Sequence, residues 1–568
     1  MRVLPNWIVV FVLTAVSLGA HALDRQAFTF TSYKLSASLD VAKQGFSVTG
    51  TLQARNDSPA AQKDLAMQIS SSLRWTSVSI GNEQIPWVQQ SYTTDIDHTG
   101  QVSEAILTLP NPVAPGASVT VTFSYDGAIT LNTGRLLRVD TPGTYAARTD
   151  WDQISDSLTA VRGLGYVVWY PVALNAASLS DGMAVWDEIA NWKQRHANST
   201  LEVAFTVPEG KTLVANTEDS KTNGNTQEVV FHSLAEITPT FTVAAYQVLD
   251  RPALTIYHLP EHTQIARDYV LSAEKVLPQI TEYFGTPKHK LVIVDLPNDE
   301  LLPFDDGEPF YFTPLLKLDP RVTDILMGHQ LVHCIVFSPR PWISEGLAHY
   351  AQLLVLERES GREAALSYLN QFRESLVEAE KANSEDYPGK GAPLVSSNDQ
   401  ILFRSKSMYV WYMLRDMVGE KALSEAIHNY NSGQDTQPAY MQSLIQAQAP
   451  TQSHLEQFFD DWVYRDKGLP DLKIEAVYPR ATLSSSIYLV TITAVNSGEA
   501  SVPLIVGVMS DKGERREKGF IAGQGKTVIR VPYPGTPGKV WVNDGSVPES
   551  DISNNTFEIK NLPANPQP

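Results

Sequence analysis

The chain has a single cysteine, Cys334, in 568 residues, and no short-period repeat is present. One cysteine excludes an intrachain disulfide. Basic residues are outnumbered by acidic ones, 44 against 63, which gives a formal net charge of −19. A charge of this sign argues against nucleic acid or an anionic membrane as a general partner.

The first 22 residues have the pattern of a secretory signal peptide. Arg2 provides a small positive region, Trp7 to Ala20 is apolar, and Ala20-His21-Ala22 is a small-residue cleavage site. The apolar stretch is short for a bilayer span, and an uncleaved membrane anchor is the alternative. No later run is long enough to span, so we predict a mature chain without a transmembrane segment. Secretion without disulfides favours export across the inner membrane to a bacterial periplasm over a eukaryotic extracellular space.

The length is too great for one core, and the sequence pattern changes twice along the chain. Residues 23–250 show alternating apolar and polar positions, which predicts an N-terminal antiparallel β domain with one wet face. Residues 251–470 are mainly helical in pattern. Residues 471–560 return to strands and predict a C-terminal β-sandwich, followed by a disordered tail at 561–568. The predicted fold class is therefore α+β and multidomain.

Helix boundaries in the middle region are predicted from caps, glycines and prolines. Asp319 is a good N-cap and Pro320 a good first residue for one helix, and Ser338-Pro339-Arg340-Pro341 should end it. A second helix should begin near Pro341. The other predicted helices are Gln264–Phe284 (closed by Gly285), Glu357–Ala382, Ser407–Val418, Ala422–Tyr430 and Ser453–Tyr464, with a polar loop at Asn383–Gln400.

The first of these two helices carries His329-Gln330-Leu331-Val332-His333. Two imidazoles at i and i+4 share one helix face and can hold a metal. In zinc peptidases the pattern is H-E-x-x-H, and the Glu accepts a proton from the metal-bound water. Glu345, on the second helix, is the candidate third ligand and would leave an open fourth position, as in catalytic zinc sites. Two partly buried core histidines are the alternative.

Three neighbouring residues have other candidate roles. His349, one turn after Glu345, is a spare ligand, although a partly exposed helix residue is the simpler expectation. Cys334 lies about 100° round the helix from His333 and is expected to be a buried, inert thiol. Asp324 lies about 140° round the helix from His329. It is therefore poorly placed to act as the general base that the Glu of H-E-x-x-H provides in zinc peptidases.

Several further segments carry the pattern of one known family. They are Trp169–Val172, Tyr283–Gly285 with Val292–Pro297, Trp342–Ala348, Ser407–Asp416, and Phe458–Trp462 with Gly468–Pro470. Together with the histidine motif, they resemble the aminopeptidase N-like gluzincin zinc metallopeptidases over most of the mature chain. The resemblance implies an N-terminal β domain, a thermolysin-like catalytic-type domain and activity on peptides or protein N-termini.

The metal ligands match this family residue by residue, and its catalytic residues do not. His329, His333 and Glu345 match the zinc ligands, although the eleven residues between His333 and Glu345 are a shorter connection than is usual. Gln330 stands at the position of the general-base Glu. Gln352 stands where the family often has a Glu that orients a ligand His.

Two further family positions concern the substrate. The family's transition-state Tyr has no counterpart in the matching segment, Phe403–Ser407. The strand that binds the substrate's free amine in the family is nearest to Asp305–Pro309 here. Glu308 is the substrate-binding candidate in this segment, and an ordinary acidic loop is the alternative.

Gln330 is close to Glu in shape, but an amide cannot accept a proton at neutral pH. Loss of a general base typically lowers the rate by about 10²–10⁴-fold. Three functions stay open at this point. The chain is a zinc peptidase of weak activity, a catalytically inactive pseudopeptidase that binds peptides or proteins, or an envelope scaffold.

Overall fold

The computed structural model describes residues 23–81, 83–235, 237–305, 309–386, 393–397, 399–451, 454–482 and 487–560. The signal segment 1–22, the tail 561–568 and Glu308 therefore lie outside the described residues. The chain divides into two compact units, Met1–Ala244 and Ala245–Pro568. The domain boundaries expected at residues 250 and 470 remain predictions.

The first unit consists mainly of strands. These are β1 (Phe28–Asp40), β2 (Gly45–Asn56), β3 (Gln62–Ser70), β4 (Leu73–Ile80), β5 (Glu83–Gln84), β6 (Trp87–Thr93), β7 (Gln101–Val113), β8 (Ser118–Ala128), β9 (Thr159–Val161), β10 (Thr200–Thr206), β11 (Thr212–Ala215), β12 (Ser220–Asn223), β13 (Thr226–Phe231) and β14 (Phe241–Ala244). Its helices are α1 (Gly134–Arg138), α2 (Gly143–Thr149) and α3 (Ala184–Arg195).

Most strand pairs of this unit are antiparallel, as the alternating pattern predicts. Within the described residues the widest sheet has the order β12-β13-β10-β1-β2-β8-β4-β5, and smaller sheets have the orders β3-β7-β6 and β11-β14-β9. One pair departs from the prediction, because β1 and β10 run parallel, with Tyr33 opposite Leu201. More than 150 residues separate these two strands, which is ample for the crossover that a parallel pair requires.

The second unit contains the remaining helices and strands. The helices are α4 (Thr263–Phe284), α5 (Pro320–His333), α6 (Pro341–Ser360), α7 (Arg362–Asn370), α8 (Arg373–Asp386), α9 (Ser407–Val418), α10 (Glu420–His428), α11 (Tyr440–Gln448) and α12 (Leu455–Phe459). The strands are β15 (Gln247–Asp250), β16 (Leu254–His258), β17 (Leu291–Asp295), β18 (Phe304–Asp305), β19 (Phe310–Thr313), β20 (Leu472–Ala481), β21 (Ile487–Asn496), β22 (Val502–Ser510), β23 (Gly513–Ile521), β24 (Lys526–Pro534), β25 (Lys539–Val542) and β26 (Thr556–Glu558). Two π-helical segments, Ile401–Lys406 and Asp460–Tyr464, adjoin α9 and α12. The short 3₁₀ turns are Val41–Lys43, Pro260–His262, Leu394–Ser396 and Ser432–Gln434.

A mixed sheet of order β15-β16-β17-β19-β18 precedes α5 and fixes one residue of the site. Strands β16, β17 and β19 are parallel, and β18 is an antiparallel edge strand with Asp305 opposite Tyr311. Asp305 is therefore held by strand pairing. The C-terminal strands form two antiparallel sheets, β20-β21-β24 and β23-β22-β25-β26.

The predicted starts of the two site helices agree with the structure, whereas α5 ends at His333, ahead of the predicted stop at Ser338–Pro341. Asp319 caps α5 by accepting a hydrogen bond from the backbone N–H of Arg321 at 2.9 Å, and α6 begins at Pro341. The helix predicted over Glu357–Ala382 is wrong. Helix α6 continues to Ser360 and stops at Gly361, whose φ of +83° is a backbone conformation that other residues rarely adopt, and α7 and α8 follow.

Two glycines allow the helices of the site to approach closely. A Cβ added at Gly328 on α5 would lie 2.8 Å from Cγ2 of Val355 on α6. A Cβ added at Gly346 on α6 would lie 2.7 Å from Cβ of Ser407 and 2.8 Å from Nε1 of Trp411, both on α9. Both separations are too short for a side chain, so each helix contact depends on a glycine next to a predicted ligand.

Among the helices of the described residues, none combines the length and the apolar character needed to cross a bilayer.

The Gly346 contact yields a stability prediction. We expect Gly346→Val to lower the free energy of unfolding by about 1–3 kcal/mol, because the added side chain overpacks the contact between α6 and α9. Chemical denaturation measures this change. Ser360→Val is the matched control, since it puts the same side chain on an exposed position of α6 and should change stability by less than about 0.5 kcal/mol. Equal effects of the two variants would contradict the close contact.

Candidate metal centre

The predicted histidine pair is brought together inside the second unit. His329 and His333 lie one turn apart on α5, and their Nε2 atoms are 3.2 Å apart. Both side chains are buried, and the ring planes are inclined by 71°. Two ring nitrogens at this distance with rings inclined to each other are an arrangement that one cation can join.

Helix α6 places two more ligand atoms beside this pair. Oε1 of Glu345 is 3.7 Å from Nε2 of His333, and Oε2 of Glu345 is 3.9 Å from Nε2 of His349. The ring centroids of His349 and His329 are 4.7 Å apart. One ligand atom from each of His329, Glu345 and His349 lies within 4.8 Å of the others. His329 thus shares one such group with Glu345 and His349 and another with His333 and Asp305, and His333 and Glu345 approach each other at 3.7 Å.

These residues fit a zinc ion in both chemistry and spacing. Zinc binds imidazole nitrogen and carboxylate oxygen at about 2.0–2.2 Å in tetrahedral geometry, so neighbouring ligand atoms are about 3.3 Å apart. The His329 to His333 separation of 3.2 Å is close to that value. The separations to Glu345, 3.7 and 3.9 Å, need only small side-chain movements to reach it.

Burial keeps the imidazoles in the form that binds metal. Burial, assisted by the neighbouring His349 and His333, lowers the pKa of His329 well below its usual value. Burial likewise lowers the pKa of His349 to about 4. Burial raises the pKa of Glu345, while His333 and Arg404 act in the opposite direction. Neutral imidazole nitrogens carry the lone pair that coordination requires, so His329 and His349 need lose no proton at neutral pH.

Gln330 is buried and faces an acidic residue. Its Nε2 donates a long hydrogen bond of 3.5 Å to Oδ2 of Asp305 on β18. Ligand atoms of Asp305, His329 and His333 also lie within 4.8 Å of one another. The position expected for a general base thus holds an amide that acts as a donor to a carboxylate.

A positive side chain approaches the site from the π-helical segment Ile401–Lys406. Nε of Arg404 is 3.7 Å from Oε2 of Glu345. The segment is anchored by Lys406, a buried residue whose Nζ lies 2.6 Å from Oε1 of Glu380 and 2.9 Å from Oδ1 of Asp466. The anchor holds the segment that carries Arg404 beside the ligand carboxylate.

Sequence reasoning names some of the residues that lie together here and misses others. His349 is a partly exposed residue of α6, as expected, with a side chain that is 17% exposed, and its ring also packs against that of His329. Asp305 and Arg404 had no assigned role, since only strand pairing and the π-helical turn bring them to α5 and α6. Glu308, the substrate-binding candidate, lies outside the described residues.

Two other expectations about α5 agree with the structure. Cys334 is buried, and its thiol donates to the carbonyl oxygen of Gln330 at 3.6 Å. Asp324 accepts hydrogen bonds from Ser272 and Lys275 on α4. Asp324 therefore links α5 to α4 and does not act as a substitute base.

The fold is similar to a crystal structure of an M1 zinc metallopeptidase from Deinococcus radiodurans. The sequence identity is 16%, the TM-score is 0.47, and the match covers 77% of this chain and 94% of that one. A glutamate-to-alanine mutant of an M1 zinc metallopeptidase from the same organism, bound to a Tyr-Ser-Ala substrate, matches with a TM-score of 0.45 and the same identity and coverage. No family model and no curated protein matches the chain.

The buried lysine of the π-helical segment yields a stability prediction. We expect Lys406→Met to lower the free energy of unfolding by about 3–5 kcal/mol, because it leaves Glu380 and Asp466 buried without the ammonium between them. Lys421→Met is the control, since Lys421 forms an ion pair with Glu425 while 90% exposed and should contribute little. Thermal or denaturant unfolding measures both variants. A loss no larger than that of the control would contradict the anchoring role of Lys406.

The Gln330 to Asp305 contact can be tested by a double-mutant cycle in metal-free protein. Gln330→Glu alone should lower the free energy of unfolding by about 1–3 kcal/mol, because two carboxylates then face each other. Adding Asp305→Asn should restore most of that loss. Independent, additive effects of the two substitutions would show that the side chains do not interact.

Proposed function

We propose that this protein is an aminopeptidase N-like zinc metallopeptidase-type protein of the cell envelope that binds peptides or protein N-termini and cleaves them slowly. The catalytic-type domain is proposed to be thermolysin-like, and the mature chain is proposed to be exported to a bacterial periplasm. The observation that carries the proposal is the convergence of His329, His333 and Glu345 beside Gln330. Zinc bound there would supply Lewis-acid polarisation of a carbonyl group.

The side chains around the ligands account for slow turnover. Gln330 can orient a polar group by hydrogen bonding, but it cannot take up a proton. The side-chain amide of Gln330 donates a hydrogen bond to the carboxylate of Asp305. Arg404 provides a positive charge near Glu345, where the carboxylate of a peptide or a developing oxyanion could be stabilised. Binding and charge stabilisation are therefore retained, while the proton-transfer role has no residue at its usual position.

A second candidate is a catalytically inactive pseudopeptidase, which would be a peptide- or protein-binding module or an envelope scaffold. The hydrogen bond between Gln330 and Asp305 favours it, because both side chains are engaged with each other. A binding module would show micromolar or better affinity for peptides without turnover, and a scaffold would show neither.

Hydrolysis of a panel of aminoacyl fluorogenic substrates tests these functions. The zinc-loaded wild type, Gln330→Glu, and Gln330→Glu with Asp305→Asn are compared, with His333→Ala as the metal-free control. We expect little turnover by the wild type and a gain of about 10²-fold or more in the double variant, because a base is restored without a facing carboxylate. Metal analysis should find about one zinc per wild-type chain and none in His333→Ala.

Two outcomes would contradict the proposal. Wild-type turnover at ordinary enzyme rates, about 1–10³ s⁻¹, would show that another group supplies the base and that Gln330 is not disabling. A folded wild type that retains no zinc would remove the ligand assignment. Peptide affinity with no turnover in any variant would favour the pseudopeptidase.

A further inference from the structure

His349 occupies a position where a metal ligand would be expected. It follows Glu345 by one turn of α6, so both side chains lie on the same face of that helix. Its Nε2 is 3.9 Å from Oε2 of Glu345, and its ring centroid is 4.7 Å from that of His329. The cluster thus contains three imidazoles and one carboxylate, where three ligands would suffice for a catalytic zinc.

Gln352 fixes which nitrogen of His349 faces the cluster. Nδ1 of His349 is 3.0 Å from Oε1 of Gln352, and the hydroxyl of Tyr368 donates to the same oxygen at 3.3 Å. An amide oxygen only accepts, so Nδ1 of His349 carries the ring proton. The lone pair is then on Nε2, the atom that points at Glu345. Hydrogen bonds of this kind to the non-coordinating nitrogen orient metal-bound histidines.

We propose that His349 is a fourth protein ligand, so that His329, His333, Glu345 and His349 together enclose one zinc ion. The proposal rests on the metal assignment of the proposed function and extends it. Four protein ligands are the pattern of a closed zinc site, whereas a catalytic site keeps one position open. Water or a substrate carbonyl would then reach the metal only by displacing His349.

A closed site gives a common reason for the two amides. With the fourth position occupied by a side chain, a general base at position 330 would have water to deprotonate only while His349 is displaced, which is consistent with the slow turnover proposed above. Gln352 supplies the acceptor that His349 needs without adding a negative charge beside Glu345. Coordination of the metal by His349 would thus account for both amides, Gln330 and Gln352.

Asp305 is the competing candidate for the fourth position. Its carboxylate lies within 4.8 Å of ligand atoms of His329 and His333. However, Oδ2 of Asp305 accepts the hydrogen bond from Gln330, and Asp305 lies on the edge strand β18 and not on either of the two helices that carry the other candidates.

Metal affinity and cobalt spectroscopy on the full mature chain test the proposal. Zinc affinity is measured by competition with a chelator, and Co²⁺ replaces zinc as a probe whose visible absorption reports coordination. We expect His349→Ala to weaken zinc binding by about 100-fold or more and to change the Co²⁺ spectrum. Added imidazole should restore the spectrum, since the His349 side chain is 17% exposed. Gln352→Leu should weaken binding by about 10–100-fold through loss of orientation.

Three variants serve as controls. His349→Gln keeps a polar side chain of similar size, and should repeat the loss if His349→Ala folds poorly. His232→Ala removes an exposed histidine of the first unit and should leave zinc affinity unchanged. Asp305→Asn should change the affinity by less than about 10-fold, because the carboxylate is not a ligand in this arrangement.

Unchanged zinc affinity and an unchanged Co²⁺ spectrum in both His349 variants would overturn the fourth ligand while leaving the His329, His333 and Glu345 assignment intact. A large loss in Asp305→Asn with none in His349→Ala would overturn it in favour of Asp305. A folded wild type that binds neither zinc nor Co²⁺ would overturn the proposed function and this inference together.

Discussion

The close approach of α5 and α6 is the constraint on which the site depends. Gly328 allows Val355 to sit against the backbone of α5, and Gly346 allows α9 to sit against α6. Each glycine is the sequence neighbour of a ligand residue, His329 or Glu345. A larger side chain at either position would push the packed helices apart and so move the candidate ligands that they carry. The packing of these helices in the core therefore also sets the geometry of the site.

Electrostatics in this enclosed region favour a bound cation. Burial lowers the pKa of His329 and of His349 and keeps both imidazoles neutral. Glu345 is the one carboxylate among the four converging α5 and α6 residues, and its negative charge faces His333, His349 and Arg404. Imidazole lone pairs and the negative charge of Glu345 lie close together here. These are ligand types that a divalent metal binds.

The two amides near the histidines have different physical consequences. At position 330 an amide removes proton transfer but retains hydrogen bonding, and it is paired with Asp305. At position 352 an amide oxygen still orients His349, with help from Tyr368. An amide at each of these positions is therefore compatible with a site whose residues could hold a metal. Fold similarity alone does not decide between cleavage and binding, because function depends on such individual side chains.

The sequence by itself determined what is local. The i, i+4 spacing put His329 and His333 on one face of α5, Asp319 capped that helix, and Pro341 opened the next, because caps and prolines act within one helical turn. The helical pattern over Glu357–Ala382 gave a wrong prediction, because Gly361 ends α6 within that range. Only the tertiary structure brought Asp305, Arg404 and the α6 pair of Glu345 and His349 to the histidines of α5. Asp305 needed strand pairing with β19, and Arg404 needed a buried lysine anchor. The α6 residues needed the crossing of two helices. These are contacts between residues far apart in the chain, and no local pattern encodes the distances between them.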